Sequence, residues 1–385
     1  MNFGTDFDAL IARFSPDPTQ PIALAVSGGS DSLALLLLTD EWVQRSGRQL
    51  RIYTVDHGLR AGAAAEADSV AALSLRLGHT HQTLKWTAPK RTQSAARAAR
   101  FKLMCKAMSE SGGACLLVGH TLDDVVETAI IRRRRGIRDA SIAGPTLTSP
   151  APVWPEGRGI AILRPLVYST RAELRDILTN ENWAWIDDPS NESQAFERVR
   201  VRNFLTRHPI LRDTGTRFVR ELQSVRRVSD RSLGQALAHI QIRPDGAIDT
   251  CDAPISTRLL SILARCASGT AADPRASAVS DLINRLNTPG TRQTLGGAWF
   301  QRTGEGFLIG RDPGQVAEIG SMQIFDGRFE RSPNTELPKT RNQEFLVRQS
   351  SAPDQNWREI ISSRIAHTAL CYQTPDLEPF ADSGL

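Results

Sequence analysis

The chain has 385 residues, 40% of them hydrophobic and 23% charged, enough for two or three cores and unlike a fibrous or disordered protein. Its 47 basic and 42 acidic residues leave a net charge of +5, which permits an anionic partner without requiring one. The longest apolar run, Leu33 to Leu38, falls far short of the roughly 18 residues of a membrane-spanning helix. The first twenty residues also lack the basic start and apolar stretch of a secretory leader, so a cytoplasmic protein with no membrane partner is expected.

Ile22 to Val26 is an apolar run that ends in glycines and reads as a buried strand, followed by a helix from Ser32 to Glu41. Leu50 to Val55 is the next strand, Ala63 to Leu77 an amphipathic helix, and His81 to Trp86 a third strand. A helix from Ser94 to Ser111 leads to a fourth strand, Cys115 to Val118, and another helix starts near Thr121. Strands alternating with helices of this length predict an α/β fold with a mostly parallel sheet. After Gly144 a proline-rich loop precedes the strand Ile160 to Leu163. Thr170 with Glu173 has the capping-box pattern of a helix running to about Asn182. Residues 183–202 are mixed and polar. Amphipathic helices are then predicted over Phe218 to His239, Ile255 to Ala267 and Arg275 to Leu286. Short strands follow at Ala298 to Arg302 and Gly306 to Gly310. The expected organisation is a catalytic domain over 1–215, a helical domain over 216–290 and a C-terminal segment over 291–385.

Cys105, Cys115, Cys251, Cys266 and Cys371 form no Cys-x-x-Cys pair and no zinc-finger spacing. They read as small buried hydrophobes. Arg132 to Arg135 is a four-residue basic run; a solvated helix end and a nucleic-acid contact both account for it.

In an open parallel sheet, ligands bind beyond the carboxyl ends of the strands. Ser27-Gly28-Gly29-Ser30-Asp31-Ser32 lies at the first such end. Two glycines allow a sharp turn, and successive N–H groups and hydroxyls at a helix start suit a phosphate. No lysine follows, so this is not a Walker A loop. Asp56-His57 ends the second strand. His120-x-x-Asp123-Asp124-x-x-Glu127 follows the fourth, with positions that share one helix face. Crowded carboxylates beside a phosphate loop point to a Mg²⁺ site and an acid/base pair; the alternative is a solvated helix start, where acids suit the dipole.

These segments resemble the PP-loop ATP pyrophosphatases and, within them, the tRNA(Ile)-lysidine synthetases. The resemblance runs through residues 27–32, Val55 to Arg60, Ala96-Arg97-Ala98-Ala99-Arg100-Phe101, Gly119 to Thr128 and Arg164-Pro165-Leu166. It continues through Trp185 to Asn191 and Arg198-Val199-Arg200-Val201-Arg202, with a weaker echo at Thr294 to Trp299. Val125 stands where the family usually has Gln, and residues 133–138 lack the family's Gly-Ser-Gly stretch.

The resemblance implies a Rossmann-like PP-loop domain and an enzyme that adenylates the wobble cytidine of an isoleucine tRNA with a CAU anticodon. Free L-lysine then displaces AMP. It implies ATP and Mg²⁺ as cofactors and tRNA contact by the helical domain. A homodimer is one assembly it leaves open. Ser27, Gly28, Gly29, Ser30, Asp31, Ser32, Asp56 and His57 are expected at the nucleotide, with Asp31 and Asp124 at the metal. Asp31, His120, Asp124 and Arg200 are the expected catalytic residues. Arg97 or Arg100 is expected to meet the substrate carboxylate or a phosphate, and Glu127 the lysine ammonium. Arg198 and Arg202, with Arg200, are expected to meet AMP or tRNA phosphate, and Asn191 to contact substrate. Competing readings are a tRNA thiolase, an amidotransferase-linked synthetase and a non-catalytic tRNA-binding protein.

Overall fold

A computed structural model describes residues 5–58, 62–87, 92–137, 140–186, 197–243, 246–315, 324–325, 328–331, 357–359 and 361–373. The chain divides into two compact units, one over 1–151, 160–229 and 374–385, the other over 152–159 and 230–373.

The first unit is built on β1 (Ile22–Ala25), β2 (Leu50–Asp56), β3 (Thr80–Lys85), β4 (Cys115–Val118), β5 (Thr148–Pro150) and β6 (Ala161–Leu163). Their order is β3-β2-β1-β4-β6-β5. Every pairing is parallel except that of β5 with β6. β1 and β4 are buried through most or all of their length, as expected of strands covered on both faces. The helices between them are α2 (Ser30–Ser46), α3 (Ala63–Arg76), α4 (Gln93–Ser111) and α5 (Leu122–Arg134). β2 lies on one side of β1 and β4 on the other, so the β1/β4 junction is where the chain order reverses. A crevice at such a junction is the usual ligand site of this architecture.

Two features departed from the sequence reading. α1 (Thr5–Phe14) precedes the sheet and buries Phe7, Leu10, Ile11 and Phe14, a helical spacing in a stretch read only for the lack of a leader. β5 is a three-residue edge strand inside the expected proline loop, with Pro150 at its end, where proline is tolerated. The capping box opens α6 (Arg171–Asn180) as expected: Glu173 N–H donates to Thr170 Oγ1 at 3.3 Å and Thr170 N–H to Glu173 Oε2 at 2.6 Å. α7 (Glu197–Arg207) and α8 (Pro209–Ala238) follow.

The boundary drawn at 215 falls inside α8, a single 30-residue helix whose residues from Asp230 belong to the second unit. The boundary drawn at 290 falls inside one core. α9 (Thr257–Ser268) and α10 (Ala276–Arg285) share apolar packing with β9 (Arg292–Leu295), β10 (Ala298–Arg302) and β11 (Phe307–Arg311). Leu259, Leu263, Val279 and Leu282 meet Phe300, Phe307 and Ile309 in it. β7 (Gln241–Ile242) and β8 (Ile248–Asp249) complete an antiparallel sheet of order β7-β8-β11-β10-β9. Gly296 and Gly297, at φ 60° and 81°, make the two-residue turn between β9 and β10. A small sheet of β12 (Ile324–Phe325), β13 (Phe329–Arg331) and β14 (Trp357–Glu359) precedes α11 (Ile361–Tyr372). No helix among the described residues is long and apolar enough to cross a membrane.

Candidate active site

The loop from β1 into α2 is held by its own serines. Ser32 Oγ donates to Gly29 O at 3.0 Å and accepts from Ser27 N–H at 3.2 Å. Gly28, at φ +85°, occupies a backbone region that other residues rarely adopt, and Ile186 leaves its α-carbon little room. Ile186 N–H donates to Gly28 O at 2.9 Å. The loop therefore delivers Ser30 and Asp31 at the start of α2, where unpaired N–H groups favour an anion.

The β4 end faces the same point. Asp124 Oδ2 accepts from Thr121 N–H at 2.9 Å and Thr121 Oγ1 at 3.1 Å, capping α5. Its other oxygen, Oδ1, accepts from Arg171 Nη2 at 2.8 Å. Arg171 Nε meets Asp31 Oδ2 at 2.9 Å, its Nη1 meets Glu127 Oε1 at 2.9 Å, and its peptide N–H donates to Asp123 Oδ2 at 2.8 Å. The carboxylates that look repulsive in sequence are thus gathered around one guanidinium. Arg171 itself had no signal beyond its place after a capping threonine.

Glu127, 1% exposed, also meets Arg202 Nε at 2.8 Å through Oε1 and Arg198 Nε at 3.6 Å through Oε2. Both Glu127 oxygens face guanidinium groups, so a lysine ammonium expected there would share this carboxylate with arginines. Arg198 and Arg202 share a face of α7 because they stand four residues apart. Arg200, expected among the catalytic residues from the resemblance, falls on the other, exposed side of the helix. Asn191 lies outside the described residues. Asp56 accepts from Gly58 N–H at 2.8 Å and His57 meets Trp86 edge-on at the end of β2.

Arg97 and Arg100 make no hydrogen bond or ion pair with another described residue and lie 5.1 and 5.6 Å from the Phe101 ring centre. Burial and repulsion from Arg97 and Arg198 pull Arg100 down to about 10. Asp124 is the opposing charge that acts on both Arg97 and Arg100, more weakly than burial and the repulsion of neighbouring arginines. Burial, with Arg164 next, holds His120 neutral and pulls it down to about 3; its Nδ1 is buried with no hydrogen-bond partner among the described residues. The two carboxylates on either side of Arg171 diverge. Burial pushes Asp31 above the ordinary carboxylate range despite Arg171. Burial also opposes the Asp124 anion, but Arg171, with the Thr121 N–H, outweighs it and holds Asp124 below that range. Such divergence is common where acid and base roles are divided.

Val125 is fully buried, and a Cβ on Gly144 would lie 3.1 Å from its Cγ1. The residue is part of the core, which accounts for its apolar character. Arg132 bonds the Ser141 carbonyl and Arg135 pairs with Glu197, so half of the basic run is engaged locally at the end of α5. Cys105, Cys115, Cys266 and Cys371 are buried and Cys251 half-buried. Burial pushes Cys115 up to about 12, the opposite of a poised thiol nucleophile.

Residues 3–209 match the family profile of the PP-loop domain. The tRNA(Ile)-lysidine synthase of Hyphomonas neptunium is 37% identical over 289 residues, covering 72% of this chain and 77% of that protein. The proteins of the same name from Caulobacter vibrioides and Rhizobium meliloti are 35% and 34% identical, over 84% and 80% of this chain and 76% and 72% of theirs. The chain belongs to the tRNA(Ile)-lysidine synthase family of PP-loop proteins. The loop at 27–32 and the α5 acids follow the carboxyl ends of β1 and β4. The U34-tRNA thiolase NcsA of Methanococcus maripaludis is similar over 56% of this chain and 77% of that one, with a TM-score of 0.43 at 17% identity.

Proposed function

We propose that this protein is an ATP-dependent ligase that forms lysidine on tRNA(Ile), joining free L-lysine to the wobble cytidine of a CAU anticodon. The observation that carries this reading is the meeting of Asp31, from the phosphate loop, with Asp124 and Glu127, from the acidic helix, at the β1/β4 junction.

In the first step the cytosine carbonyl oxygen attacks the α-phosphorus of ATP, and the bond to pyrophosphate breaks. Ser27, Ser30, Ser32 and the first N–H groups of α2, with Gly28 and Gly29 giving backbone access, hold the phosphates. Asp56 and His57 border the nucleotide from β2. Mg²⁺ suits Asp31 and Asp124: both are hard oxygen donors beside the phosphate loop, and Asp31 is 21% exposed. Such an ion takes one or two carboxylates and completes its shell with phosphate and water. When bound, the ion would neutralise charge on phosphate oxygens.

In the second step the lysine amine attacks the activated ring carbon, AMP leaves, and the nitrogen gives up a proton. Arg97 and Arg100 supply a site for the lysine carboxylate or a phosphate, and Arg198 for AMP or tRNA phosphate. His120 lies beside these arginines and is the candidate to take the proton, with burial the chief cause that holds it down and Arg97 and Arg100 among the smaller ones.

The order of steps is the test. Pyrophosphate release is expected with tRNA and ATP alone, and AMP release only once lysine is added. AMP and pyrophosphate released together without tRNA would contradict the reading.

A further inference from the structure

We propose that Arg171 is a positioning residue of the ligation: its guanidinium locks Asp31 of the nucleotide loop and Asp124 and Glu127 of the acidic helix into one array, so that the ATP and acceptor halves of the site are registered through it. The inference rests on the ligase reading above. Arg171 Nε, Nη1 and Nη2 each meet a different carboxylate, at 2.9, 2.9 and 2.8 Å. The peptide N–H of the same residue meets a fourth, Asp123, at 2.8 Å. With every guanidinium nitrogen engaged, the side chain cannot turn without breaking a contact. The contacts tie together three elements, the start of α2, the first turns of α5 and the start of α6.

An ion pair kept for stability alone needs no such reach, and buried pairs are often replaceable by apolar packing. Three carboxylates at this spacing without a central cation would repel one another apart. The Arg171 side chain is 16% exposed and that of Glu127 1%, so water would screen that repulsion poorly. Lysine carries the same charge but cannot present three divergent in-plane donors. The fork, and not the charge alone, sets the array.

The test compares Arg171→Lys and Arg171→Ala with the parent protein. Melting temperature, tRNA affinity, and kcat and KM for tRNA-dependent pyrophosphate release are measured, with and without methylguanidinium in the medium. Arg171→Lys is expected to melt near the parent and to bind tRNA within about two-fold. Its kcat should fall by about 100-fold, the scale of a one-ångström misplacement. Arg171→Ala should lose at least as much, and methylguanidinium should recover about 10-fold of it by refilling the fork. A parental kcat in Arg171→Lys overturns the proposal, as does a folded Arg171→Ala whose loss methylguanidinium leaves unchanged. If Arg171→Ala does not fold, Arg171→Lys decides alone. A parent that releases no pyrophosphate overturns the ligase reading and this inference with it, an outcome distinct from an active parent with indifferent variants.

Discussion

Gly119 and Asp31 pack backbone against backbone: a Cβ on Gly119 would lie 3.0 Å from the Asp31 carbonyl oxygen and 3.2 Å from Ser32 Cα. The end of β4 and the start of α2 approach this closely only because residue 119 has no side chain. That contact sets the distance between the phosphate loop and the acidic helix. Gly119→Ala should cost about 1–3 kcal/mol, as overpacking does, and should reduce kcat more than that loss of folded protein explains. Urea titration beside single-turnover pyrophosphate release separates the two. An alanine variant with parental stability and rate would show that the approach is unimportant.

Asp124 holds its helix cap with one oxygen and Arg171 with the other. Asp124→Asn preserves shape but removes the charge that meets Arg171 beside the loop at 27–32. Adenylation should fall by about 100- to 1000-fold, the range seen when one preorganised electrostatic group is lost. Binding of tRNA should stay within a few-fold. Normal ATP consumption by a folded Asp124→Asn would place the reaction elsewhere.

Arg100 forms no ion pair among the described residues, and repulsion from Arg97 and Arg198 acts on it beside the weaker attraction of Asp124. Its removal should leave the melting temperature unchanged or raised, because a cation repelled by Arg97 and Arg198 is lost. Arg100→Ala should still raise KM for lysine or for ATP by about 10-fold or more, the value of a charge-assisted hydrogen bond. Whichever KM moves identifies the anion bound. A destabilised variant with both KM values unchanged would make Arg100 structural.

The His120 imidazole is held down to about 3 from its ordinary 6.5. Below pH 6.5 the unfolded chain takes up a proton here that the folded chain refuses until near pH 3. Stability from this residue is therefore full above pH 6.5 and is lost as pH falls through that window. His81, pushed down by burial, adds in the same direction. Asp124 adds only below its ordinary 3.8, and Asp31, pushed up, works against the trend. His120→Gln should flatten the fall in melting temperature between about pH 6.5 and 4. An unchanged slope would mean that His120 takes up its proton in the folded protein as readily as in the unfolded chain.

The parallel sheet was legible because its strands are short buried runs with polar residues at their carboxyl ends, and β4 fell where its apolar run lies, Cys115–Val118. The two halves of the site were legible for the same reason: Ser27 to Ser32 and His120 to Glu127 follow strands that sit side by side. Arg171 was not. A single arginine after a capping threonine carries no local signal, and its partners stand 44 to 140 residues away in the chain. Arg198, Arg200 and Arg202 look equivalent in sequence, whereas a helix keeps only the first and third together. The boundary expected at 290 does not hold, because the helices before it and the short strands after it bury one apolar cluster that includes Leu259 and Ile309.

Incorporation of labelled lysine tests the central claim most directly. The parent protein is incubated with ATP, Mg²⁺, labelled L-lysine and an isoleucine tRNA bearing a CAU anticodon, beside the same tRNA with the wobble cytidine replaced. Label is predicted in the first tRNA and not in the second, and only when ATP is present. A folded, ATP-binding protein that leaves both tRNAs unlabelled would contradict the account.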